Sequence, residues 1–173
     1  MQTNKILLLF LILCGTVAAF AQADKIPSFS RYAVKVDRTK AKAPDLGSHK
    51  YARLFRTHLR NAAKDGINFS GHFVVTYWGC GASCGDGAII DGRTGKVYFP
   101  DQLQAIWAED LGNGSIPFDV RKNSRLLMFT GFGPNDYAGN RTRYGVHVFL
   151  WNGSSLKEIK YVRKPFPVSF DRT

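Results

Sequence analysis

The sequence predicts an α+β domain: a mostly antiparallel β-sheet or meander packed against one amphipathic helix, with a short second helix. Three observations carry that expectation. Ser48 to Lys64 holds one long run of helical period, with apolar and basic residues on opposite sides. Phe69 to Trp78 alternates as a strand but carries apolar residues on both faces, which suits a central strand covered twice. From Ala88 onward, short β-rich runs are separated by polar, glycine-bearing turns, the pattern of hairpins.

Taken in order, residues 1–21 read as a secretory leader. Lys5 precedes an apolar run from Ile6 to Phe20, and Ala19-Phe20-Ala21 fits the small-x-small cleavage rule, with Ala21-Gln22-Ala23 as a second site. Cys14 follows Leu13, where lipoprotein processing needs a small residue. Residues 22–47 form a basic, extended segment broken by Pro27 and Pro44, with Ser30 to Asp37 alternating as one edge strand. A single domain is expected over 48–164 and a loose tail over 165–173. Ser48 is placed to cap the helix and Asp65-Gly66 to end it. Its apolar side comprises Tyr51, Leu54, Phe55, His58, Leu59, Ala62 and Ala63, and the opposite side carries Lys50, Arg53, Arg56, Arg60 and Lys64.

After the central strand come Gly79, Gly81, Gly85 and Gly87 around Cys80, Cys84 and Asp86. Glycines at that density permit close backbone approach, and successive amides there can form an anion nest. The Gly-Lys-Ser/Thr ending of a P-loop is missing. Ala88–Asp91 and Lys96–Phe99 read as a hairpin closed by residues 92–95. Asp101 starts the expected second helix, through Leu111. Ile116–Val120 and Arg125–Phe129 read as strands, and residues 131–143 as a long loop carrying Tyr137, Arg141 and Arg143. A last hairpin joins Tyr144–Trp151 to Leu156–Val162 across Asn152-Gly153.

The chain has 173 residues and a net charge of +11, which removal of Lys5 with the leader makes +10. That surface favours anionic partners, and export argues against nucleic acid among them. No apolar run after the leader is long enough to span a bilayer, so no transmembrane anchor is expected in the mature protein. Loss of Cys14 leaves Cys80 and Cys84, for which a disulfide is the expected state in an oxidising compartment. Their C-x3-C spacing differs from that of thioredoxin-like redox sites.

If the protein is an enzyme, Cys84, His72 and Asp91 are the candidate nucleophile, base and orienting acid, and Asp86, Asp91 and Asp136 the candidate carboxylates. Against this, the cysteines have each other as partners and His72 and His147 fall in strands. Four histidines without H-x-x-x-H or H-x-H spacing argue against a zinc site, and no cofactor is expected. The better-fitting expectation is an exported basic binding protein, an envelope inhibitor or immunity-type protein acting on an acidic protein partner. Its partner-binding residues would be Arg53, Arg56, Arg60, Asp86, Tyr137, Arg141 and Arg143. A binder of anionic cell-wall polymer or lipid, and a Cys/His-dependent hydrolase, are the alternatives.

Asn68, Phe69, Gly71 and His72, then Trp78-Gly79-Cys80-Gly81 with Cys84, then Ala88-Ile89-Ile90-Asp91 with Thr94-Gly95-Lys96-Val97 form one connected string. It resembles the motif of a family of exported bacterial proteins. The resemblance covers about a fifth of the chain and implies an envelope location and a coherent domain, with no catalytic role attached.

Overall fold

Two antiparallel sheets stacked face to face, with one helix over the outer side of the first, account for the burial pattern of this chain. The computed structural model describes residues 25–81, 84–108, 117–134 and 142–166. The first sheet runs β1 (Phe73–Gly81), β2 (Cys84–Asp91), β3 (Val97–Tyr98) in that order. The second uses β4 (Trp107–Ala108), β5 (Asp119–Val120), β6 (Leu126–Phe132), β7 (Gly145–Trp151) and β8 (Leu156–Arg163), ordered β4-β6-β7-β8 with β5 also on β6. Helix α1 spans Arg56–Asp65. The α+β expectation therefore holds, as do the hairpins at Gly92–Gly95 and Asn152–Gly153.

Strand parity sorts the side chains into layers. Phe73, Val75 and Ile89 point from the first sheet toward Leu127, Phe129, Phe149 and Trp151 of the second, forming the main core. Val74, Trp78, Ala88 and Ile90 point the other way and meet Ala52, Leu59 and Ala63 beneath the helix. Leu126, Met128, Val146 and Val148 cover the far side of the second sheet against Phe29. Trp151 is fully buried at the centre, edge-on to Phe73 at 5.3 Å and to Tyr98 at 5.4 Å.

Several elements differ from the expectation, each because a tertiary contact overrides local preference. The helix begins at Arg56, not near Ser48. The Ser48 hydroxyl donates to the Asp45 carbonyl (2.6 Å) and accepts from the Val97 amide (2.9 Å), which ties this stretch to β3. Residues 49–55 then pass over Phe99 as turns, with the His49 ring stacked on it at 4.6 Å. The second helix is only a 3-10 turn, Asp101–Leu103. Beyond it Ala105 adopts φ 49°, and Ile106 forms a two-way bridge with Gly85 (2.9 and 3.0 Å), so Trp107 enters a strand. Ser30 to Asp37 is not an edge strand: Phe29–Tyr32 is a 3-10 turn and Ala33 makes a single bridge to Ser124. His72 lies in a turn before β1, which Ser70 (φ 42°) and Gly71 (φ 84°) reverse.

Tyr77 lies on the inner face of β1, edge-on to Phe118 at 5.5 Å, and its ring covers Gly85 on the neighbouring strand. A β-carbon at Gly85 would coincide with that ring. Gly85→Ala should expel Tyr77 and cost about 1–3 kcal/mol. Urea denaturation should show a lower midpoint at unchanged slope, and an unshifted midpoint would mean the ring has room elsewhere.

Candidate functional site

The β1–β2 hairpin distributes the polar residues of the central motif to its two ends. At the open end Phe73 pairs with Asp91, and at the closed end Gly81 pairs with Cys84. Seven residue steps separate Asp91 from Cys84 along β2, roughly 23 Å at strand rise. His72 and Asp91 are thus brought together, and Cys84 is not brought to them.

Nor do His72 and Asp91 make a working acid-base pair. Nε2 of His72 stands 3.7 Å from Asp91 Oδ1, beyond hydrogen-bond reach. The carboxylate is engaged in its own turn, accepting from the Arg93 amide (2.8 Å) and the Thr94 hydroxyl (2.9 Å). Burial, with Arg93 nearby, lowers the His72 pKa against the opposing pull of Asp91 and Asp37. The main chain around His72 is committed as well. Its carbonyl accepts from the Gly92 amide (2.8 Å), and the Gly71 amide donates to the Lys122 carbonyl (2.6 Å). A β-carbon at Gly71 would approach the Lys35 carbonyl to 2.7 Å.

Cys80 and Cys84 sit at disulfide-bonding distance, Cα atoms 5.4 Å apart, where the β1–β2 register slips between Gly79 and Gly81. Asp86 accepts from the Ala105 amide at 2.9 Å and so holds the Ile106 bridge in place. The carboxylate expected to meet a partner is spent inside the fold. Above it, burial first and the Asp86 charge second push the Tyr77 phenol up to about 12.

The basic face survives, with a different centre. Arg53, Arg56 and Arg60 are exposed, and among the described residues no acidic side chain pairs with them or with Lys50 and Lys64. Because residues 49–55 are not in phase with α1, Leu54 and Tyr51 fall outside the buried stripe, at 71% and 45% exposure. Phe55 keeps its inward place, tilted on Trp78 at 4.5 Å, and His58 stacks on the same indole at 5.3 Å. Helical periodicity assigned Tyr51 and Leu54 to the core, and no local signal contradicts it; the tie from Ser48 to Val97 does.

Arg143 opens onto β8. Its guanidinium donates to Glu158 Oε2 (2.8 Å) and lies 4.7 Å from the Tyr161 ring centre. His147, only 2% exposed, offers Nδ1 to Glu158 Oε1 (2.8 Å) and Nε2 to the Arg143 carbonyl (3.2 Å). Arg143 is thus part of an ionic cluster over the second sheet. Tyr137, Arg141 and Asp136 lie outside the described residues. Among the described residues no group of three or more His, Cys, Asp and Glu gathers to hold a metal ion, and no helix is long and apolar enough to cross a membrane. No family model, curated protein or solved structure matches the chain.

Burial opposes the charge of Glu158, but hydrogen bonds from Arg143 and His147 outweigh it and hold the group below the usual carboxylate range. The folded pKa is depressed. Its stabilisation is therefore complete above the unfolded value, ~4.3, and is lost as pH falls through the folded one. Denaturation between pH 7 and 3 should show this loss in wild type and a flatter profile in Glu158→Gln. The variant should be less stable at pH 7 by about 1–3 kcal/mol. Parallel profiles would assign the acid sensitivity to other groups.

Proposed function

We propose that this chain is an exported, non-enzymatic binding protein that docks on an acidic protein partner, as an envelope inhibitor or immunity-type protein does. The observation that carries the reading is the exposed Leu54–Tyr51 pair among Lys50, Arg53, Arg56 and Arg60. An apolar and aromatic anchor inside a ring of one charge is the arrangement by which proteins engage a complementary surface: the anchors supply most of the affinity and the charges steer and orient. Tyr51 is already held, edge-on to Phe99 at 5.9 Å with the Lys50 ammonium 4.8 Å from its ring centre, so little ordering entropy is lost on contact.

Among the described residues these cations form no ion pair. Arg56 stands in the first turn of α1, where no acidic residue or side-chain cap is present and the helix dipole disfavours positive charge. Arg56 with Arg60, and Arg60 with Lys64, are like-charge i,i+4 pairs, each unfavourable by about 0.2–0.5 kcal/mol. Charges that cost the isolated protein stability find their compensation in a partner. A thiol hydrolase has no such support, since its three candidate residues lie at opposite ends of one hairpin.

A photo-crosslinking residue at position 54 should capture a protein of net negative charge from envelope extract. Binding of that purified protein should then weaken about thirtyfold for Leu54→Ala. The Arg53→Glu/Arg56→Glu/Arg60→Glu variant should weaken it further and remove its salt dependence. A partner without net negative charge, or equal affinity for wild type and both variants, would sink the reading.

A further inference from the structure

Residues 34–45 cross the open end of the β1–β2 hairpin as a strap held by backbone hydrogen bonds. Val34, Asp37, Lys42 and Asp45 donate their amides to the carbonyls of Asn123, Gly71, Gly92 and Gly95, at 2.8–2.9 Å. Between the ties at Asp37 and Lys42 the chain stands away from the body, leaving a cleft of about 580 Å³ against Ala63, Lys64 and Ile67 at the end of α1. A second cleft of about 720 Å³ lies along the strap toward Arg93, and the two share Val36, Asp37 and Arg38 as a common wall.

Among the described residues six cations line the two clefts: Lys35, Arg38, Lys40, Lys64, Arg93 and Lys122. Among the described residues Asp37 is the one acid in either lining, and it is already engaged. It accepts from the Thr39 amide (3.0 Å), the Thr39 hydroxyl (2.9 Å) and Arg93 Nε (2.9 Å). Those bonds, Thr39's first, hold its pKa at about 2. Arg93 is neutralised by Asp37. The other five have no ion-pair partner among the described residues.

We propose that the two neighbouring clefts together are a binding site for a linear, phosphate-bearing polyanion, distinct from the Leu54 face. One compact anion would meet the cations of only one cleft. A chain with repeated charges can pass from Lys64, Lys122 and Lys40 on one side of the shared wall to Lys35 on the other. Four of the five unpaired cations are lysines, point charges without a fixed fork, which suit tetrahedral oxyanions in several orientations. The backbone ties set the clefts in advance, so binding has little loop ordering to offset.

Calorimetric titration of the full chain with tripolyphosphate, orthophosphate and triglutamate tests the assignment. Tripolyphosphate should bind one to one, at least tenfold more tightly than the other two, and weaken with salt. Arg38→Gln/Lys122→Gln changes two exposed side chains and should lower that affinity tenfold or more. Arg53→Gln/Arg56→Gln/Arg60→Gln should change it less than twofold, which separates this site from the docking face. Amide shifts on binding should centre on Lys40, Ala41, Gly66 and Ile67. Equal affinity of the Arg38/Lys122 variant and wild type, orthophosphate or triglutamate binding as tightly, or shifts confined to Arg53–Arg60 would each overturn the proposal.

Discussion

Everything in this molecule follows from the need to cover the β1–β2 hairpin on both faces. Val74, Trp78, Ala88 and Ile90 face one way, Phe73, Val75 and Ile89 the other, and all seven are buried. A fully buried side chain of this size contributes ~1.5–3 kcal/mol, so neither face can be left to water. The first set requires α1; the second requires the five-stranded sheet with Trp151 at its centre. Helix α1 has no side-chain cap and a cation in its first turn, so packing on Trp78 and its neighbours, rather than helix propensity, holds it in place.

That constraint also decides what the motif's polar residues do. A hairpin buried on both sides has only its two ends in contact with solvent, and both are reversals of chain direction. Asp91 caps one turn, Gly71 and His72 shape another, Asp86 anchors Ala105, and the two cysteines close the tip. Of the residues that suggest an active site when read along the chain, Cys84 lies the full length of a strand from His72 and Asp91. Outside the hairpin, α1 and the strap carry charge that the core does not use.

How much of this the sequence discloses depends on the range of the deciding contact. The turns at Gly92–Gly95 and Asn152–Gly153, the cysteine pair and the two-sided burial of the central strand are local, and period and turn chemistry reveal them, although the strand runs Phe73–Gly81 rather than Phe69–Trp78 and residues read as a glycine loop are paired strand. Ser48 looks like a helix cap because local pattern cannot show a hydroxyl taken by Val97, 49 residues away. Periodicity extends the helix backward and buries Tyr51 and Leu54 for the same reason. Asp101 starts what reads as a helix until Ile106 is claimed by Gly85. The basic character of residues 50–64 is legible, but the exposure of Tyr51 and Leu54 is hidden by a contact made elsewhere.

The strap is the sharpest case. Composition marks residues 22–47 as polar, basic and broken by proline, a description that fits a loose connector. Four amides turn part of it into a wall, and at Gly71 and Gly95 the missing side chain lets the strap's backbone come close. A β-carbon at Gly92 would stand 2.5 Å from the His72 carbonyl, and one at Gly95 would crowd the Ala43 carbonyl. The glycines of the central motif thus do more than turn its own hairpin. They admit the strap, and the strap brings Lys35, Arg38 and Lys40 to face Lys64 and Lys122 from another part of the chain. Positive charge scattered along the sequence is gathered around the two clefts because Gly71 and Gly95 leave room for the strap's backbone.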